Sequence, residues 1–291
     1  MKKHKICKIL LVILAIFLCV AFYELLGICV AYKKQPEVSN TTKKETKNGS
    51  WNECSENTER AVIIEKNPEA LLQRVRLIKN AKKEIILSTF AFQSDESGKL
   101  ILGALHDAAD RGVHIRLLVD GMESWIDMEG NPYFYGLSSH ENVEIKLYNK
   151  ANPLKPWEMM GRMHDKYLIA DGKRYILGGR NTYNYFLGDF PGHKNYDRDV
   201  LVVCDEPEKE NSVNQLLEYF ETIWEQEDSG YFHDNKKLAN RKSVKNAVLE
   251  LQNGYQKYFE ENKERICDTD YTDETFETEK IALVSNPIHT G

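Results

Sequence analysis

The sequence has no surplus of positive charge. Its 39 Lys and Arg are outnumbered by 45 Asp and Glu, for a net charge of −6. That excludes attraction of the whole surface to nucleic acid or anionic lipid and leaves only local basic patches. Metal-ligand spacing is also missing. The histidines and acids are scattered, so no metal site is expected. No internal repeat is visible, which argues against two copies of one lobe in this chain. No small-x-small site cleanly follows the apolar N-terminus, which argues against a cleaved signal peptide. Leu26-Gly27-Ile28-Cys29 carries Ile28 where a lipoprotein site needs a small residue.

What is present fits an ordinary folded protein: 42% hydrophobic and 29% charged residues. A length of 291 residues suits one large domain or two small ones. Ile9 through Tyr32 is mostly apolar, and a helix needs about 20 such residues to cross a bilayer. Glu24 interrupts the run near its far end, where it can reach the interface. Residues 1–32 therefore read as a retained N-terminal transmembrane anchor. Lys2, Lys3, Lys5 and Lys8 compete with Lys33, Lys34, Lys43, Lys44 and Lys47 across the span. Short basic N-termini usually stay cytoplasmic, which puts the rest of the chain outside. The second lysine group reads as a solvated tether more than as a headgroup patch. Residues 33–60 form a polar linker. Cys7, Cys19 and Cys29 belong to the anchor region and Cys204 to the core. Cys54 and Cys267 flank the folded part and either pair in an oxidising compartment or stay free.

The folded part spans 61–285. Asn67-Pro68-Glu69 reads as a helix start, with Asn67 as the cap. Leu71, Leu72, Val75 and Ile78 give it an apolar stripe. Ile85–Phe92 is a buried strand, and Ser97-Gly98 opens a second helix that Gly112 stops. Val113–Val119 is the next strand. Strand, helix, strand implies a parallel pair joined by a right-handed crossover. A loop with Asn131-Pro132 and several aromatics follows. Strands are expected at 143–148, 164–170, 174–178 and 199–204. Helices are expected at 209–228 and 236–265, and a last short strand at Ile281–Val284. The fold class is α/β, with a mixed, largely parallel sheet flanked by helices.

The chemistry concentrates at Arg162-Met163-His164-Asp165-Lys166-Tyr167-Leu168-Ile169-Ala170-Asp171, which reads H-x-K-x4-D. Gly178-Gly179-Arg180-Asn181 follows. Residues two apart on a strand share a face, so His164 and Lys166 can address one phosphate. The imidazole can attack phosphorus while the ammonium holds the phosphoryl oxygens. Asp165 then faces away and does no chemistry. His106 reads as a helix-surface residue, His114 as structural, and His193 as a solvated loop residue more than a pocket one. Trp157 and Tyr183 to Phe186 either bound an acyl or glycerol site or serve as packing.

These residues resemble the phospholipase D superfamily, whose signature is H-x-K-x4-D followed by a Gly-Gly/Ser-x-Asn turn. Ile85–Phe92, Val113–Gly121, Asn142–Asn149, Tyr183–Phe186 and Asp197-Arg198-Asp199-Val200 are similar to the segments around it. Gly-Gly-x-Asn is the form that cardiolipin synthases tend to carry, and Gly-Ser-x-Asn the form of the nucleases. The resemblance implies catalytic His164, Lys166 and Asp171, with Asp171 supporting the site. It implies phosphate binding by Lys166 and Asn181, with support from Gly178, Gly179, Arg180, Asp197 and Asp199. Arg180 either contacts phosphate or, the preferred reading, pairs with Asp197 or Asp199. No cofactor is required.

The lipid enzymes of the family carry the motif twice, and this chain carries it once. Neither His233 nor His289 has a lysine two positions on. Leu283-Val284-Ser285-Asn286-Pro287 resembles the connector between lobes, with 286–291 as its remnant. Three readings follow. The first is a membrane-anchored phosphodiesterase or phosphatidyltransferase on phospholipids, completed by a homodimer mate or a second lobe. The second is a single-motif homodimeric nuclease, which the acidic balance disfavours. The third is an inactive half of a two-lobed enzyme.

Overall fold

The computed structural model describes residues 2–33, 40, 43–44, 59–150, 152–158, 161–208, 211–233 and 237–285. The apolar N-terminus forms one helix, α1 (Lys2–Lys33). Within it, Lys5–Lys33 is long and apolar enough to cross a membrane. Cys54, most of the polar linker and 286–291 lie outside the described residues, so the Cys54–Cys267 pairing and the connector remnant do too.

The first strand, β1 (Glu59–Ile64), begins two residues before the expected start of the lobe at 61. Helix α2 (Asn67–Asn80) follows. Lys66, not Asn67, occupies its cap position. Asn67 lies inside the helix and spends its amide on tertiary bonds, donating to Asn195 O at 2.8 Å and accepting from Arg180 Nε at 3.2 Å. Next come β2 (Glu84–Thr89), α3 (Glu96–Asp110) and β3 (His114–Asp120). Asp95 caps α3 by accepting from Gly98 N at 3.0 Å, and Gly112 leaves the helix at φ +88°. The expected parallel pairing of β2 and β3 is present, with Leu87 opposite Leu117.

The aromatic loop contains two short helices, α4 (Gly121–Asp127) and α5 (Pro132–Ser138). Asp120 caps the first by accepting from Met122 N and Glu123 N, and Asn131 caps the second by accepting from Tyr133 N. Then β4 (Val143–Tyr148), β5 (Lys166–Ala170), β6 (Arg174–Gly178) and β7 (Asp199–Val203) complete the middle of the sheet. Helix α6 (Ser212–Trp224), β8 (Ser229–Tyr231) and a single 3-10 turn at Leu238–Asn240 follow. The long helical stretch is broken into α7 (Lys242–Glu261) and α8 (Lys263–Cys267).

The expected last strand at 281–284 is not formed. β9 (Phe276–Thr278) pairs with β1 instead. Ile281 and Leu283 pack against the cluster under α6, and Leu283 N donates to Gln215 Oε1 at 3.0 Å. Their side chains are used for packing and not for a ladder.

The strand order is β8-β4-β3-β2-β5-β6-β7-β1-β9. The sheet is mixed, but it is not largely parallel. Among the described residues only β2–β3 and β3–β4 run parallel. All other pairings are antiparallel. The reason is local: β5, β6 and β7 enter without helical crossovers, which antiparallel neighbours do not need. One face packs against α2, α3 and α5, and α7 lies over α3 and α5. The other packs against α6 through Val213, Leu216, Phe220, Ile223 and Trp224. All of β5 is buried, so the strand that leads out of the motif lies in the middle of three layers.

The β5–β6 hairpin turns at Asp171 (φ 56°) and Gly172 (φ 64°). Two successive positive φ values suit an Asp-Gly hairpin turn. The Asp171 carboxylate accepts from Lys82 N at 2.9 Å, Lys83 N at 2.7 Å and Glu84 N at 3.1 Å. It thus ties the hairpin to the start of β2. Asp171→Ala strips three backbone donors of their acceptor, at a cost of about 1–3 kcal/mol. In the detergent-solubilised full chain, Tm should fall by about 5 °C, with a smaller loss for Asp171→Asn, which keeps one acceptor. An unchanged Tm in both variants would show that the bonds carry no stability.

Candidate active site

Thr89, the last residue of β2, and the two residues after it each meet one motif residue. Thr89 pairs with Lys166 across the β2–β5 ladder. Phe90 stands edge-on to His164, with ring centroids 4.7 Å apart. Ala91 N donates to Asn181 Oδ1 at 3.2 Å. His164, Lys166 and Asn181 therefore gather around a single strand end. Thr182 Oγ1, which donates to Thr89 Oγ1 at 3.3 Å, ties the chain after Asn181 to the same place.

His164 itself precedes the strand, which begins at Lys166. Its position is set by its neighbours. Arg162 Nε donates to both oxygens of the buried Asp120 at 2.8 and 3.0 Å. Met163 N donates to Asp120 Oδ2 at 3.1 Å. On the other side, Tyr219 of α6 donates to Asp165 Oδ2 at 2.8 Å. Lys166 Nζ donates to the His164 carbonyl at 2.6 Å. The backbone of His164 is thus fixed on both sides while its ring stays open to solvent. Among the described residues neither ring nitrogen has a hydrogen-bond partner.

Partial burial lowers the basicity of His164, and the neighbouring Lys166 charge adds to this. The ring is therefore neutral at neutral pH, with a free lone pair. Lys166 is only 6% exposed. Burial lowers its pKa to about 8, opposed by Asp165 and Asp197. It keeps its charge at neutral pH. The Phe90 ring lies under both cations of the motif, 5.3 Å from Lys166 Nζ and 4.9 Å from Arg162 Cζ. Asn181 is buried, and its bond from Ala91 fixes the amide oxygen as acceptor and leaves the nitrogen as donor. One nucleophile and two kinds of donor are the parts needed to attack and hold a phosphoryl group.

The remaining residues of the motif are architectural in this structure. Asp171 lies at the far end of β5 from His164, about 17 Å along the strand from Lys166. Arg180 is fully buried and fully engaged. It donates to Ile64 O at 3.1 Å and Glu65 O at 2.6 Å, and pairs with Asp199 Oδ2 at 3.2 Å. The ion pair, not phosphate contact, occupies it. Arg74 reaches the same oxygen at 2.9 Å. A Cβ at Gly178 would overlap the Asp199 carboxylate and the Arg198 carbonyl. A Cβ at Gly179 would overlap the Asp197 carboxylate. The Gly-Gly pair therefore makes room for the two acids at the start of β7.

His114 bonds Glu144 at 2.9 Å, as a structural residue would. His106 is tucked against Asp110 at 3.0 Å and is buried, not on the helix surface. His193 is exposed in its loop. Tyr183, Tyr185 and Phe186 pack on one another, and Trp157 lies against Tyr23 of α1. Among the described residues no group of three or more His, Cys, Asp or Glu side chains could hold a metal ion. Phe90 and Asp120 were not legible as site residues. Phe90 reads as one more apolar strand residue, and Asp120 as a strand end. Only the bonds from Arg162 and Met163 reveal the latter.

Residues 74–224 match the family model described as the PLD-like domain of cardiolipin synthase. An uncharacterized protein of Helicobacter pylori strain J99 is 31% identical over 212 residues, covering 68% of this chain and 39% of that protein. Cardiolipin synthase C of Escherichia coli K12 is 29% identical over 171 residues, covering 54% of this chain and 34% of that enzyme. The chain thus spans between a third and two fifths of the length of these curated relatives. Phosphatidylserine synthase from Haemophilus influenzae superposes with a TM-score of 0.51 at 18% identity, over 76% of this chain and 48% of that one. That likeness is one of fold. The matched domain covers more than half of the sequence, and the chain belongs to the phospholipase D superfamily, in its cardiolipin synthase-like branch.

Proposed function

We propose that this chain is a membrane-anchored phosphodiesterase or phosphatidyltransferase acting on phospholipids, cardiolipin synthase-like, through a phosphohistidine on His164. The observation that carries the reading is the solvent-open His164 ring and the buried Lys166 ammonium gathered on one Phe90 ring, at 4.7 and 5.3 Å from its centroid. One ring nitrogen attacks phosphorus, and the bond to the departing alcohol breaks. Lys166 and the Asn181 amide hold the non-bridging oxygens as charge builds on them. Water or a second alcohol then attacks the phosphohistidine and frees the ring. The departing alkoxide needs a proton. Among the described residues no second histidine ring lies against His164, which faces Phe90. The acid is therefore assigned to a second H-x-K motif, from a homodimer mate or a partner lobe. Asp171, Gly178, Gly179, Arg180, Asp197 and Asp199 support the site. In this reading α1 crosses the membrane once, its basic end stays cytoplasmic, and the lobe lies outside.

The test uses the full chain in detergent with phosphatidylglycerol labelled at phosphorus, alone and mixed with a candidate partner lobe. The label should join the protein through an acid-labile bond, and His164→Ala should lower turnover about a thousandfold or more. Turnover or labelling that survives His164→Ala would remove His164 as nucleophile. Parallel incubation with single-stranded DNA separates the nuclease reading: cleavage of DNA with no action on lipid would replace the phospholipid one.

The two shifted groups set the pH profile of kcat/KM. The nucleophile must be neutral, so activity falls as pH drops through the His164 pKa, below the usual value of about 6.5. The oxygen-binding ammonium must be charged, so activity also falls as pH rises through the Lys166 pKa of about 8. The alkaline limb should lie at about 8 or lower, because a partner's acid adds its own loss of a proton. A rate that stays level well above that pH would contradict the assignment of Lys166.

A further inference from the structure

The candidate span is longer than a membrane. Lys5–Lys33 is 29 residues, about 43 Å at about 1.5 Å per residue, against a hydrocarbon core of about 30 Å. The excess is about 13 Å by the same reckoning, and the structure shows where it lies. Near its C-terminal end, α1 meets the loop that leads into the motif. Tyr23 OH donates to Leu154 O at 2.7 Å. The Tyr23 and Trp157 rings meet edge to face, with centroids 6.5 Å apart. Four residues on, Gly27 is buried against Pro156 so closely that a Cβ would overlap the proline ring. Glu24, Gly27 and Ala31, at helical spacing, are the less exposed positions of this end. From Lys5 to Tyr23 the helix rises about 27 Å, which nearly fills the hydrocarbon core.

The loop that α1 holds is apolar at its tip and firm at its base. Leu154 is 79% exposed and Trp157 44%. Lys155 pairs with Glu158 at 2.9 Å between them. At the base, Asn149 Nδ2 donates to Glu158 O at 2.5 Å and Gly161 O at 2.7 Å. Gly161 is followed directly by Arg162, Met163 and His164. Helix α4 packs its first residue, Gly121, against the carbonyls of Tyr148 and Asn149 at that same base. It exposes Trp125 (65%) and Ile126 (63%).

We propose that residues 152–158 form an interfacial hook. Leu154 and Trp157 enter the boundary between headgroups and acyl chains of the bilayer that α1 crosses, and α1 itself aims them there through Tyr23 and Gly27. Tyrosine, tryptophan and lysine at one depth are the composition of a membrane interface. The tyrosine lies where the hydrocarbon core ends if the core begins at Lys5. Glu24 then sits among headgroups, which removes the burial cost of a carboxylate inside the span. The loop runs straight into the motif, so the hook keeps the H-x-K site at the level of the phosphates. This last consequence rests on the phospholipid reading above; the contact with the bilayer does not.

The test reconstitutes the full chain in vesicles of phosphatidylcholine with phosphatidylglycerol, using lipids brominated high or deep in the acyl chain. Trp157→Phe should remove a quenched component of the fluorescence, one quenched more by the shallow bromines than the deep ones. If the quenched signal is the same in wild type and Trp157→Phe, protein and not lipid covers the patch, and the proposal falls. Gly27→Leu, which drives α1 and Pro156 apart, should reduce the Trp157 component at least about twofold; no change would overturn the role of α1. Leu154→Glu with Trp157→Glu should lower turnover of phosphatidylglycerol in vesicles about tenfold while a short-chain soluble phosphodiester stays within about twofold. An equal loss on both substrates would mean damage to the site and would overturn the hook's effect on it. Quenching without turnover of either substrate, with the candidate partner lobe supplied, upholds the hook and rejects the phospholipid reading.

Discussion

Lys166 carries its ammonium into a place where only 6% of the residue is exposed, and burial lowers its pKa to about 8. A buried charge is tolerated only when the surrounding structure is rigid enough to hold its partners. Here the partners come from three layers. The His164 carbonyl receives its proton at 2.6 Å. Phe90 at the end of β2 lies 5.3 Å from it. Asp165, held by Tyr219 of α6, and Asp197 at the start of β7 supply the opposing charge. Partial burial lowers the basicity of His164, and the Lys166 charge adds to it. One desolvated amine thus bears on the electrostatics of both motif side chains.

The buried pair of arginines behind the site plays a complementary part. Arg74 and Arg180 share Asp199 Oδ2 at 2.9 and 3.2 Å. Arg180 is the residue directly before Asn181. Its bonds to Ile64 O, Glu65 O and Asn67 Oδ1 hold it between β1 and α2. Asn181 therefore inherits its position from a buried network behind it. Such a network is costly to half-remove, because each lost partner leaves a buried charge uncompensated.

Much of this was legible in the sequence because the signals were short-range. The strands at 143–148 and 174–178 and the parallel β2–β3 unit follow from local pattern. The H-x-K spacing placed His164 and Lys166 together. What failed were features decided by distant partners. β1 was hidden because it opens on Glu59, a charged residue buried to accept from Ser212 N at 3.1 Å and Ser212 Oγ at 2.9 Å. The final strand was misplaced because Ile281 and Leu283 look like a ladder but serve as packing. Asn67 resembles a cap, yet Arg180, 113 positions away, claims its side chain. Asp120 showed no sign of fastening the residues before His164. The predominantly antiparallel sheet was not visible either, because pairing sense depends on how the chain returns after β4.

The signature therefore mixes two kinds of information along one stretch of chain. His164 and Lys166 stand at one end of β5, and Asp171 closes the hairpin at the other, while Gly178 and Gly179 make room for Asp197 and Asp199. In the first pair His164 leaves its ring open to solvent, and the buried charge of Lys166 carries a desolvation cost. The second group holds the hairpin and the two acids in place, away from the His164 end of β5. A descendant of this lobe that abandoned catalysis for scaffolding would gain stability by discarding Lys166, yet would retain the aspartate and both glycines. A fragmentary signature in a genome would then mark a surviving fold with an extinct reaction.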